Sequence, residues 1–439
     1  KQKTAYEIMP SLVGSEMCIR DRLRDKESYL IECLSELVSI PTFVPPGEKY
    51  GEIVDALVPK FERLGFDARR VDMPAEIYEE KQKQEGLSGE RANLLAEKDC
   101  GAKEGITIYT HLDVVPAGEG WDTPPFQAVV KNGRIYGRGT ADSKGAVAAL
   151  LTALSIIQEL GLECKYNLCV ALTTDEEIGP YSGLCYFADE GLLRGDYFLC
   201  MDGENENICI AANGVFTWEI TVFGRSCHSS LPMLGENAIE LALKVIERLR
   251  ALKERVEART SAVKCVPSIA KMTNCEFIKP VLNITMIEGG VKENIIPGSC
   301  TLRGDRRYIP EEDLSDAEAE FIAVLKDLRK EGINLAWKIK RGYPPMLTAQ
   351  DSEWVLRVKR AASAAFGCEK EVGGVQGSLD VGYAVQRTKQ PVCAFGVGDA
   401  VESNAHGPNE NVRLADLRNY VKFLIFLLTG APHDASTAD

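Results

Sequence analysis

Three observations predict an α/β fold in which a mostly parallel sheet is interrupted by an inserted ferredoxin-like α+β module. The runs ITIYTHLD, NLCVALTTDEE and YFLCMDGE are apolar almost throughout, as strands covered on both faces are. Helical patterns alternate with them, as strand–helix–strand units require. Near Gly214 the pattern changes to strands of alternating polarity. At 439 residues the chain also exceeds what one core usually supports, so two domains are expected.

The elements follow in order. From Arg24, Leu30, Leu34 and Leu37 keep a helical spacing that stops before Pro41. A second helix is expected from Ile53 to Leu64, with Gly65 closing it. After the strand ITIYTHLD, the apolar stretch KGAVAALLTALSIIQELG reads as a helix closed by Gly161, and two further strands follow. FTWEITVFG then alternates like a half-exposed strand, and NAIELALKVIERLRAL is an amphipathic helix. LNITMIEGG, CTLRGDRRY, a helix from Asp316 to Lys330 and a strand from Leu335 to Ile339 complete a β-α-β-β-α-β order. After about Tyr343 the α/β pattern resumes with helix Trp354–Phe366, strand VCAFGVG and helix Leu414–Leu428. The expected division is thus 23–213 and 343–430 for the main domain, 214–342 for the insert and 431–439 for a polar tail. Residues 1–22 lack the basic and apolar regions of a signal peptide. The stretch SLVGSEMCIRD looks like translated sequencing adaptor, so residues 1–22 are read as a non-native extension outside the fold.

Charge narrows the function. With 65 acidic and 51 basic residues the net charge is −14, which argues against nucleic-acid and anionic-membrane partners. The best apolar run, Phe423 to Leu428, is far too short to span a bilayer. The 14 cysteines form no C-x-x-C pair, and Cys169, Cys200 and Cys393 sit in apolar strand runs. Reduced thiols packed as small hydrophobes in a cytoplasmic protein are the expectation.

Only four histidines occur: His111, His228, His406 and, in the polar tail, His433. His111 ends a strand run two residues before Asp113. Alternation puts the two on one side, so one can bind a metal while the other accepts the proton of the second ring nitrogen. Asp142, between a glycine-rich turn and a helix, can bridge two ions or simply cap the helix. Asp175, Glu176 and Glu177 close a strand where three carboxylates repel one another unless cations compensate. Asp202 closes the next strand, and His406 follows VCAFGVG in NAHGPNE. Two imidazoles and several carboxylates at successive strand ends suit borderline divalent ions, at the sheet edge where open α/β folds bind ligands.

The blocks HLDVVPAGEGWDTPPF, NGRIYGRGTADSKG, TTDEEIG, MDGE, GRSCHSSLPMLGENAI, IEGGVKENIIP, GDRRYIP and NAHGPNE occur in this order. They resemble the dinuclear-zinc peptidase and deacylase family, which includes acetylornithine deacetylase, succinyl-diaminopimelate desuccinylase, aminoacylase and glutamate carboxypeptidase. The resemblance spans about Asp25 to Gly430. It implies that His111 and Asp202 hold one ion, that Glu177 and His406 hold the other, and that Asp142 bridges them. The ions would be zinc, with cobalt or manganese as alternatives. Glu176 would be the general base and Asp113 would orient His111. The inserted module would be a lid and dimerisation domain, with His228 reaching the partner subunit's active site. Asn294 and Arg307 would line the substrate face. The family's Gly-Gly-Thr/Ser-Asp block has no identical counterpart in GGVQGSLD, where Gly377, Ser378 and Asp380 are the candidates. The family's carbamoyl-amide-cleaving branch tends to have histidine at the position of Asp202, so aspartate there argues against that branch.

The activity implied is hydrolysis of an N-acyl amino acid, of the acetylornithine or succinyl-diaminopimelate type. A dipeptidase or carboxypeptidase acting on short peptides is the first alternative. An inactive peptide-binding homologue is the second, and it predicts a missing ligand or base.

Overall fold

The central strands are apolar on both sides, so the sheet has to be covered twice. The computed structural model describes residues 17–82 and 86–430. Helices α1 (Glu27–Ser39) and α2 (Tyr50–Arg63) come first, then strands β1 (Asp67–Asp72), β2 (Ala92–Lys98) and β3 (Glu104–His111). Helix α3 (Lys144–Glu159), strand β4 (Tyr166–Thr173), helix α4 (Gly183–Asp189) and strands β5 (Tyr197–Cys200) and β6 (Asn207–Ala212) follow. The insert comprises β7 (Gly214–Phe223), α5 (Ala238–Glu257), β8 (Val281–Gly289), β9 (Ser299–Tyr308), α6 (Leu314–Lys330) and β10 (Leu335–Arg341). The chain then returns through β11 (Met346–Leu347), α7 (Glu353–Phe366), β12 (Glu371–Val375), α8 (Val381–Thr388), β13 (Val392–Ala394) and α9 (Leu414–Thr429).

The main sheet runs β1-β2-β4-β3-β5-β13-β6-β11, with β12 also paired to β6. Its centre is parallel: β3 with β4 and β5, and β13 with β5. The edge strands β1, β2 and β11 are antiparallel. Ile106, Ile108, Val170 and Leu172 turn to one face, where α1, α2, α3, α7 and α9 cover them with Leu34, Val54, Leu150, Val358 and Leu424. Tyr109, Ala171 and Phe198 turn to the other, against Leu184 and Phe187 of α4 and Val381 and Ala384 of α8. Helix α3 lies between sheet and outer helices and is buried on nearly every side, which its all-round apolar sequence requires. Gly65 ends α2 as expected, at φ +80° with its N–H on the Glu62 carbonyl.

The insert has the expected topology. Its sheet, β8-β9-β7-β10, is antiparallel throughout. Phe216, Trp218, Ile220 and Val222 of β7 face α5 and α6 and meet Val245, Leu249, Phe321 and Leu325. The alternate residues of β7 and β9, among them Glu219, Arg303 and Arg307, lie on the face those helices leave uncovered.

One expectation needs correction. Residues 17–25 are helical, and Ile19 and Leu23, four apart on one helical face, are buried in the principal core. Arg22 lies 3.7 Å from Glu159. From residue 17 onward the segment read as an extension is therefore packed into the main domain. Residues 1–16 and the tail from 431, with His433, lie outside the described residues. Among those described, no helix is long and apolar enough to cross a membrane, and all 14 cysteines are free thiols.

Candidate metal centre

The carboxyl ends of β3, β4 and β5 converge, and each carries its polar residues where the apolar run stops. His111 is the last residue of β3 and is fully buried. Its Nδ1 lies 2.9 Å from the backbone carbonyl of Asp113. A carbonyl only accepts, so Nδ1 carries a proton and Nε2 is the nitrogen left to face a metal. Asp113, expected to orient His111, meets the ring with its main-chain carbonyl, and its carboxylate stands 3.6 Å from Nδ1. That carboxylate accepts the backbone N–H groups of Glu176 at 3.3 Å and Glu177 at 3.1 Å, holding the turn after β4.

Asp142 stands at the centre. Helix α3 begins at Lys144 with Ser143 at its N-cap, so Asp142 is not the cap. Its Oδ1 lies 2.9 Å from His111 Nε2, and its Oδ2 lies 2.9 Å from His406 Nε2. Asp202 Oδ2 is 4.0 Å from His111 Nε2, and both oxygens of Glu177 are 3.1 Å from His406 Nε2. Two groups result, His111–Asp142–Asp202 and Asp142–Glu177–His406, each with donor atoms within 4.8 Å of one another. These are the five residues expected as ligands, in the expected partition, and they fit divalent ions. The donors are imidazole nitrogens and carboxylate oxygens, and the one residue common to both groups turns a separate oxygen to each.

The electrostatics point the same way. Burial disfavours a charged His111, yet hydrogen bonds to Asp113 and Asp142 outweigh it and hold its pKa well above the usual range. Hydrogen bonds to Asp142 and Glu177 hold His406 up at about 10. Burial, reinforced by the Asp142 carboxylate, pushes Asp202 to about 7. Burial and the nearby Asp380 carboxylate push Glu176 well above the carboxylate range. Without cations, so many acids can coexist only by taking up protons.

Asp175 has a different fate from its neighbours. At φ +67° it turns away from the cluster, and its Oδ1 accepts from Arg91 at 2.8 Å and Tyr50 at 2.9 Å. The compensating cation for this third acid is thus a guanidinium. Asp380 is buried and accepts from Tyr109 and Ser182, each at 2.6 Å.

The substrate-side candidates fall in two places. Arg307 reaches across from the insert and donates from Nη1 to Ser378 Oγ at 3.2 Å. Beside them, the Gly377 carbonyl accepts from the Asn213 N–H, and a side chain at Gly377 would meet only open space. His228 and Asn294 lie together at the exposed far end of the insert, where the short strands Cys227–His228 and Ile295–Ile296 pair. The Asn294 carbonyl accepts from the Ser229 N–H. Ser230 donates its N–H to His228 Nδ1 at 3.1 Å. The His228 side chain bonds to Ser230 in its own loop and, among the described residues, to none of the metal-facing groups.

Two buried residues were missed, although both stand inside the quoted motifs. Glu410, in NAHGPNE, accepts the N–H groups of Gly139, Ala141 and Asp142. It also pairs with Arg138, of YGRGTADSKG, at 2.7 Å.

An α/β domain whose sheet is covered on both faces, with an inserted α+β lid and a paired imidazole–carboxylate centre, defines a metal-dependent hydrolase. The family model described as Peptidase family M20/M25/M40 matches residues 107–429, and the chain belongs to this family. An uncharacterized metallohydrolase of Methanococcus maripaludis is 28% identical over 413 residues, covering 88% of this chain and 95% of that protein. A probable succinyl-diaminopimelate desuccinylase of Staphylococcus epidermidis is 25% identical over 350 residues, covering 76% of this chain and 85% of the relative. The M20 family metallo-carboxypeptidase Sso-CP2 of Sulfolobus solfataricus superposes with a TM-score of 0.73 at 22% identity, covering 91% of this chain and 98% of that one.

Proposed function

We propose that the protein hydrolyses the amide bond of an N-acyl amino acid, with two divalent ions, zinc first, held by His111 and Asp202, by Glu177 and His406, and by Asp142 between them. The observation that carries this reading is Asp142, whose two oxygens face two different imidazoles at 2.9 Å each. When bound, the ions supply Lewis-acid polarisation of the scissile carbonyl and acidify the attacking water. Glu176 takes the proton from that water and returns it to the leaving nitrogen as the C–N bond breaks. Its raised pKa, from burial and Asp380, suits a group that both accepts and delivers a proton.

Arg307 and Ser378 supply a guanidinium and a hydroxyl at one spot, a match for the substrate's carboxylate. The oxyanion would be met by the partner subunit's His228. With Nδ1 accepting from Ser230, the neutral ring carries its proton on Nε2 and can donate it. Dimer formation through the insert is supported by its edge strand β8. Met286 and Ile287 there, with Val291 just beyond it and Leu243 of α5, leave apolar surface exposed.

The likeness to a solved metallo-carboxypeptidase favours a second reading, in which the same site cleaves the C-terminal bond of a short peptide. N-acetyl, N-succinyl and dipeptide substrates, presented to enzyme reconstituted with zinc, cobalt or manganese, decide between them. Preferred turnover of N-acyl amino acids supports the first reading, and preferred turnover of peptides replaces it. Full activity after exhaustive chelation refutes the metal mechanism. Silence of the metal-replete protein on every substrate leaves a binding protein.

A further inference from the structure

We propose that Glu410 and Arg138 form a positioning pair that presets the metal centre before any ion arrives. This rests on the ligand assignment above and adds a division of labour between the two groups.

The carboxylate of Glu410 is fully buried and has four partners. Its Oε1 accepts from the N–H groups of Ala141 at 2.9 Å and Asp142 at 3.1 Å. Its Oε2 accepts from Gly139 N–H at 3.0 Å and from Arg138 Nη1 at 2.7 Å. Three successive features of the loop before α3 therefore converge on one acid from the far side of the insert, 268 residues away at Asp142. The Asp142 side chain divides its oxygens between His111 and His406, so its backbone position sets the geometry of both groups at once.

Arg138 extends the brace the other way. Its Nη2 donates to the His406 carbonyl at 3.2 Å, and to Pro116 and Ala117 carbonyls at 3.3 Å each. His406 sits at φ +63°, a left-handed conformation uncommon for a residue other than glycine, and the Arg138 bond to its carbonyl helps to fix it. Glu410 thus acts on the shared ligand, whereas Arg138 acts additionally on a ligand of one group. Supporting contacts of this kind typically change metal affinity by ~10–100-fold.

The test is a chelator competition on the zinc-loaded full chain, counting bound zinc against free zinc, with the cobalt-loaded visible spectrum as a report on ligand geometry. Glu410→Gln keeps one accepting oxygen but turns an amide toward Gly139 and Arg138. Both zinc equivalents should weaken together by ~10-fold or more, with an altered cobalt spectrum. Arg138→Lys keeps a cation beside Glu410 but loses the fork to His406. It should weaken one equivalent and leave the other within about twofold, and it remains informative if Glu410→Gln fails to fold. Parental affinity for both equivalents in folded Glu410→Gln overturns the proposal. So does an Arg138→Lys protein that loses both equivalents in parallel with its thermal midpoint, since that is the mark of a general structural role. A parental chain that holds fewer than two equivalents refutes the ligand assignment itself and is distinguishable from either outcome.

Discussion

Replacing Asp113 by asparagine removes a charge while keeping shape, and its effect can be worked from three distances. The carboxylate holds the N–H groups of Glu176 and Glu177 at 3.3 and 3.1 Å, and the residue's main-chain carbonyl holds His111 at 2.9 Å. Asparagine retains the carbonyl and one accepting oxygen, but it turns an NH2 toward the second backbone N–H. One charge-assisted hydrogen bond is lost, a loss of about 1.5–3 kcal/mol. If that bond serves to place Glu176 for proton transfer, the loss is felt in the transition state as roughly a 10- to 150-fold fall in kcat at tenfold per 1.36 kcal/mol. The main-chain hydrogen bond to His111 is kept, although the ring loses the Asp113 charge beside it, so metal loss should be larger in the group containing Glu177. Steady-state kinetics on the best substrate of the panel, with zinc counted in the same preparation, measures both effects. A kcat within threefold of the parent would refute the idea that the Asp113 carboxylate positions the paired glutamates.

Three other outcomes are expected. Glu176→Gln should keep its metal and lose ~10²–10⁴-fold in kcat, whereas Glu177→Gln should lose metal; equal metal contents would undo this division of roles. His228→Ala and Glu176→Gln dimers should each be nearly inactive, and exchanging their subunits should restore part of the activity; no recovery after verified exchange means that His228 serves its own chain or none. In the metal-free protein, His406 is raised from 6.5 to about 10, so its contribution to stability is complete below about pH 6.5 and disappears as pH climbs through 10. The thermal midpoint of the stripped protein should fall across that window more steeply than that of His406→Asn, and identical slopes would contradict the charge balance described.

His111, Glu177 and Asp202 were legible because each follows the end of an apolar strand run, and in a parallel sheet such termini meet at one edge; Asp142, after a glycine-rich turn, and His406, in a loop, carry no such signal of their own. What escaped is non-local. Asp175 looks equivalent to Glu176 and Glu177 in sequence, and its separate role depends on Arg91, 84 residues away. Glu410 reads as one polar residue in a loop until Gly139, Ala141 and Asp142 fold around it. Asp113 was placed on the correct side of β3, but alternation along a strand cannot tell whether the backbone or the carboxylate meets the ring. The insert was legible almost completely, since its strands alternate in polarity. Edge strand β1, with the polar sequence DARRVD, carries no such signal and is defined only by its pairing with β2. The helical start at residue 17 was missed because residues 1–22 were set aside for their likeness to translated sequencing adaptor before the Ile19–Leu23 spacing was weighed.

The position of β13 has a consequence for how the molecule comes into being during synthesis. This strand lies between β5 and β6, which precede the insert, yet it is made only after the insert is complete. A nascent chain that has emerged as far as residue 342 holds His111, Asp142 and Asp202 but lacks His406, Glu410 and the strand that joins the halves of its sheet. The insert, whose sheet and helices are contiguous in sequence, can close its own core at that stage. The main domain cannot, and its first ligand group is complete before its second exists. On the proposed ligand assignment, the second group can form only when the last hundred residues thread back into the gap they were left.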